Sequence, residues 1–152
     1  MKLIKIILSI VLFSLLSNNK SFSWGFFAHR KINRLAIFSL PLPIFHFYKK
    51  NIRYITTNSV NPDKRRCAVE GEAEKHFIDL DRYSQDEIEN FYSNWYVLID
   101  LYGEKNLRSF GIIPWNILKM KEELTKAFAE KNIERILKLS SEVGHYLADA
   151  NV

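Results

Sequence analysis

The spacing of apolar residues along the chain is helical almost throughout. In "RKINRLAIFSL" the apolar positions Ile32, Leu35, Ala36 and Leu40 recur at the three- and four-residue intervals of one helix face, and Pro41 and Pro43 stop the run. A second helix is predicted from near Pro43 through "IFHFYKKNIRYITTN", ending before Pro62. The pattern then fails over "NPDKRRCAVEGEAEK", which is charged and aperiodic and reads as a long surface loop. "HFIDLDRY" follows as a short apolar–polar stretch. A third helix is predicted from about Asp86 to Gly103 and a fourth from about Pro114 to Ala129. Pro114 is tolerated there because the N–H it lacks would have no helical partner in the first turn. The last helix starts after Asn132, a side chain suited to capping, and runs through "IERILKLSSEVGHYLADA". No persuasive strand pair, internal repeat or low-complexity segment interrupts this series. The predicted class is all-α, a helical bundle.

The N-terminal 23 residues follow a different rule. Lys2 and Lys5 precede an apolar run, Ile6 to Leu16, that is short for a bilayer span, and Ser21 and Ser23 stand at the −3 and −1 positions of a cleavage site before Trp24. Residues 1–23 are expected to be a signal peptide, which implies a secreted or periplasmic protein; an uncleaved anchor is the competing reading. Removal of the segment leaves residues 24–152 as one domain. It also removes Lys2, Lys5 and Lys20 from the 22 basic residues, so 19 face 17 acidic ones and the net charge falls to about +2. So small an excess carries no argument for nucleic acid, and any such substrate must be argued from a site. Cys67 is the only cysteine, so an exported domain of this size has no intramolecular disulfide and needs helix packing or a bound metal for stability.

The chemistry-bearing residues are few. His145 and Asp149 are four apart on the last predicted helix and so project from one face, a spacing that presents two ligands to a divalent metal or forms a plain helix-surface hydrogen bond. His76 opens "HFIDLD" with Asp79 and Asp81 close behind, which admits a ligand, a general base or a solvated loop histidine. Asp63, directly after a predicted helix, reads by itself as a turn aspartate. Trp24 would carry a free α-amine after cleavage. Its amine nitrogen and carbonyl oxygen together could chelate a metal, with His29 completing the site.

Taken in order, "WGFFAH", "NPDKRR", "HFIDLD" and "GHYLAD" resemble the superfamily of zinc-dependent phospholipase C and the single-strand-specific type I nucleases, over essentially all of residues 24–152. The resemblance implies an all-helical enzyme that hydrolyses phosphate esters with a cluster of three zinc ions. It implies that Asp63, His76, His145 and Asp149 hold one zinc. Trp24 and His29 would hold a second, with Asp149 bridging the two, and Asp79 or Asp81 would lie near the attacking water. The substrate would be single-stranded nucleic acid or a phospholipid head group.

The sequence also departs from that pattern. Ala148 replaces the usual glycine, Asn151 stands where histidine is common, and Val152 precedes the residues that bind the family's third zinc. The expectation is therefore a C-terminally truncated member with ligands for two zincs, either a zinc-dependent phosphodiesterase or a catalytically inactive, metal-binding helical protein derived from one.

Overall fold

The structure, a computed structural model, describes residues 24–89 and 95–151, and the signal peptide expected over 1–23 lies outside them. The described residues contain helices and no strand, so the class is all-α as the periodicity predicts. Helix α1 spans Trp24–Ile37, α2 Leu42–Lys50, α3 Ile52–Asn58 and α4 Asn61–Arg65. Two 3-10 turns follow, at Ala73–His76 and Leu80–Arg82. The remaining helices are α5 (Gln85–Glu89), α6 (Trp95–Tyr102), α7 (Glu104–Ser109), α8 (Ile113–Ala129) and α9 (Ile133–Asp149).

The second predicted helix is not continuous. It divides at Asn51, whose backbone (φ −102°, ψ 14°) leaves the helical region and whose side-chain amide donates back to the Phe47 carbonyl at 2.8 Å. Asparagine competes for backbone hydrogen bonds in this way, and apolar periodicity does not register it. The start of the predicted loop is likewise helical, because Pro62 pre-sets the backbone angle for the first turn of α4. Helix α7 was also not anticipated. It begins directly after Gly103, whose φ of 75° turns the chain out of α6. The last two helices agree closely with expectation, and the Asn132 side chain caps α9 by accepting from the Arg135 N–H at 3.0 Å.

Helix α9 is the centre of the packing and touches α8, α3, α1, α4 and the 3-10 turn at Ala73–His76. The main core joins Ile136, Leu137, Leu139 and Tyr146 of α9 to Ile113, Met120 and Ala127 of α8, and to Ile37, Tyr48 and Ile55 of α1–α3. A second cluster gathers Leu98, Leu107, Ile112, Trp115 and Tyr83, with Trp95 packed against it. Packing is thus the role the fold gives to Trp95 and Trp115.

Two close approaches set the geometry of the functional region. Where α1 meets α9, a Cβ on Gly144 would stand 2.1 Å from the Asn33 carboxamide oxygen, so only glycine lets the helices approach this closely. Gly111 (φ 87°) similarly leaves room for the Phe77 carbonyl, which a Cβ would meet at 2.2 Å. The backbone bonds Ile112 N–H to Glu74 O (2.7 Å), Ile113 N–H to Phe77 O (3.2 Å) and Asp79 N–H to Phe110 O (2.6 Å) then pin the His76 segment against the start of α8.

Candidate metal centre

Four segments deliver imidazole and carboxylate groups to one point. His29 comes from the inner face of α1, Asp63 from α4, His76 from the end of its 3-10 turn, and His145 with Asp149 from successive turns of α9. All three histidines are buried, and both aspartate side chains keep 18 % exposure. His145 lies 3.2 Å from Asp149 and 3.7 Å from Asp63, both measured from Nε2. His76 Nδ1 lies 2.9 Å from Asp149, 3.9 Å from Asp63 and 3.2 Å from His145 Nε2. The His29 ring stacks on His145 with centroids 3.8 Å apart, and its Nε2 lies 3.2 Å from Asp149 and 3.8 Å from Asp63.

These separations fit a bound metal. Ligands held tetrahedrally at about 2.0–2.1 Å from an ion are about 3.3 Å from one another, in the middle of the range seen here. Two donor triads, His29–His145–Asp149 and Asp63–His76–His145, each have their ligand atoms within 4.8 Å of one another, so the residues form groups that can bind metal.

Both carboxylates divide their oxygens in the same sense. Asp149 turns Oδ1 to His29 and Oδ2 to His76 and His145. Asp63 turns Oδ2 to His29 and Oδ1 to the same pair. The cluster therefore has two sides, with each aspartate placed to serve both.

The protonation of His145 follows from its neighbour. Its Nδ1 is 2.8 Å from the Ser59 carbonyl, which only accepts, so Nδ1 carries the proton. Nε2 is then the ring atom that faces both carboxylates and is free to serve as a metal ligand. A backbone carbonyl holding the distal N–H is also how metal-bound histidines are commonly oriented. Two further buried nitrogens, His29 Nδ1 and His76 Nε2, have no hydrogen-bond partner among the described residues.

Among the described residues the only ion-pair partners of Asp63 and Asp149 are these histidines; no lysine or arginine pairs with either. Burial pushes the Asp149 carboxyl upward, but hydrogen bonds from His145, His29 and His76 outweigh it and hold the group well below the usual carboxylate range. The site thus gathers anionic oxygen and imidazole nitrogen, and the donor set suits a divalent ion.

The remaining sequence candidates lie elsewhere. Asp79 accepts from Arg82 Nε at 3.0 Å, Asp81 is exposed on the Leu80–Arg82 turn, and neither belongs to a donor triad. Trp24 is the first residue of α1, the helix that carries His29. The cleavage that would free its amine falls in residues outside those described.

The sequence reading missed the support behind the ligands. Glu142 lies one turn before His145 on the same face of α9 and accepts from Arg65 at 2.8 Å. Arg65 also reaches Glu72 at 3.1 Å, Lys75 reaches Glu72 at 2.9 Å, and the Tyr146 hydroxyl donates to Glu72 at 2.5 Å. The signal available in the sequence was the stripe Glu142–His145–Asp149, three titratable residues on one arc of α9. The network braces α4 and the His76 turn against α9, and so positions Asp63 and His76. Comparison of the chain with protein-family models, with curated proteins and with solved structures returns no match.

Proposed function

We propose that this chain binds zinc at the histidine–aspartate cluster and hydrolyses phosphate esters there. The observation that carries the reading is the convergence of His29, Asp63, His76, His145 and Asp149 with ligand-type spacing, while no lysine or arginine among the described residues pairs with either carboxylate. The donor set of imidazole and carboxylate matches zinc chemistry. Asp63, His76, His145 and Asp149 would hold one ion. Asp149 would also reach a second, held by His29 with the amine and carbonyl of Trp24 once residues 1–23 are removed. Zinc bound there would supply Lewis-acid polarisation of a phosphoryl oxygen and a water of lowered pKa.

The chain's own contribution is placement. Ser59 fixes the His145 tautomer, Asp149 is held anionic, and the Arg65–Glu72–Glu142 network keeps His76 and Asp63 facing one another. The proposed substrates are phosphodiesters of single-stranded nucleic acid or phospholipid head groups, encountered outside the cytoplasm.

The test is elemental analysis of purified protein together with hydrolysis of single-stranded DNA and of phosphatidylcholine. About two zinc ions per chain are expected, with Asp149→Ala losing most of them and any hydrolytic activity. Unchanged zinc content in Asp149→Ala overturns the bridging assignment. Zinc retained without hydrolysis of either substrate overturns the enzyme reading in favour of a non-catalytic metal-binding protein.

A further inference from the structure

The outward face of α1 carries chemistry unrelated to the cluster. Asn33 and Ile37 join His29 on the buried side. Phe27, Lys31, Arg34, Leu35 and Phe38 fall within about 100° of arc on the opposite side, at 100° per residue. Phe27, Leu35 and Phe38 are 68 %, 55 % and 54 % exposed, and Leu42 in the following turn is 73 % exposed. Exposed apolar side chains scattered singly are ordinary, but four along one helix face and its turn form a patch.

The charge along this stretch of chain has one sign. Residues 24–58 contain Arg30, Lys31, Arg34, Lys49, Lys50 and Arg53 and no aspartate or glutamate, whereas the following residues carry an acidic excess. All six cations are exposed, and no ion pair among the described residues engages any of them. The Lys31 ammonium instead stands 5.7 Å over the Phe27 ring and Lys49 5.3 Å over Phe45, so charge and apolar surface are interleaved.

We propose that this face of α1, with the Pro41–Pro43 turn, docks on an anionic lipid surface. A purely electrostatic phosphate contact, as with a nucleic-acid backbone, gives no reason to expose Phe27, Leu35, Phe38 and Leu42 together. An interfacial helix requires both features, apolar side chains entering the acyl boundary and cations at the head-group level. The face points away from His29, so docking leaves the metal cluster uncovered.

The experiment is flotation of the full chain with vesicles of phosphatidylcholine alone or with about 30 % phosphatidylserine, which supplies the anionic charge. It compares wild type with Phe27→Ser/Leu35→Ser/Phe38→Ser and with Arg30→Gln/Lys31→Gln/Arg34→Gln. Because every substituted side chain is exposed, the circular-dichroism melts should stay unchanged. Wild type should float with the anionic vesicles only. The charge variant should lose on the order of 100-fold in partitioning, and the serine variant at least about tenfold. Equal flotation of all three proteins overturns the proposal and assigns binding to another part of the chain, residues 1–23 included. Equal binding to neutral vesicles overturns it as well. So does an absence of vesicle binding, whether accompanied by single-stranded DNA binding lost in the charge variant or by self-association lost in the serine variant.

Discussion

Two buried polar clusters lie side by side on α9, and they differ in whether the protein satisfies them. In the first, Arg65 and Lys75 face Glu72 and Glu142, Tyr146 donates to Glu72, and positive and negative charges balance. In the second, Asp63 and Asp149 face three imidazoles, the His145 Nε2 points at both carboxylates, and two other ring nitrogens have no partner among the described residues. Both occupy the same helix and similar depth. A buried network that completes itself is scaffold, whereas one that gathers ligand atoms around two carboxylates without a lysine or arginine partner among the described residues could take up a metal ion. Self-sufficiency, more than burial or residue type, separates the scaffold from the candidate site here.

The comparison is open to direct attack. The largest expected effect is removal of the added partner. If zinc completes the second cluster, a chelator should lower stability by about 4 kcal/mol relative to protein held at about 1,000 times the dissociation constant. The same chelator should leave the melt of Asp149→Ala unmoved, and an equal shift in both proteins would place the zinc elsewhere.

Breaking the self-sufficient cluster comes next. Glu72→Ala leaves Arg65, Lys75 and Tyr146 without their shared acceptor and should cost about 3 kcal/mol in urea unfolding, at the low end for a buried pair because Arg65 and Lys75 are about one-third exposed. The pH dependence has a defined sign. Burial pushes the Glu72 carboxyl up, but Tyr146, Lys75 and Arg65 outweigh it and hold it below its ordinary value. Its contribution is therefore complete at neutral pH and lost as pH falls below about 4.3 toward the folded value. Glu72→Gln should flatten that acid limb, and an unaltered limb would remove Glu72 from the balance.

The smallest effect sharpens the contrast, because it should touch one cluster and spare the other. In Gly144→Ala the new methyl group meets the Asn33 carboxamide, which donates to the His29 carbonyl, so displacing it disturbs the α1 turn that carries His29. A loss of about 2 kcal/mol is expected from overpacking, with weaker zinc retention and an unchanged acid limb from Glu72. Retention equal to wild type would mean that His29 does not depend on this seam.

The sequence by itself determined the helical class, through helical apolar spacing on both sides of the aperiodic stretch 61–75. It also located α8 and α9, where Pro114 and Asn132 mark the starts chemically. It supplied His145 and Asp149 as a pair, because a spacing of four on one helix is a local relation. The tertiary structure decided everything that relates distant segments. Asp63 alone is a turn aspartate and His76 alone a loop histidine; both become ligand candidates because α4 and the His76 turn pack against α9, braced by Arg65 on Glu72 and Glu142. Arg65 and Glu72 look like solvated charges in an aperiodic stretch, and their pairing with Glu142 exists only once α4 lies against α9. The physical reason is that hydrogen-bond satisfaction is a property of the folded surroundings. Composition shows which groups carry lone pairs and charge, but only packing shows which of them the chain has left for a partner to complete.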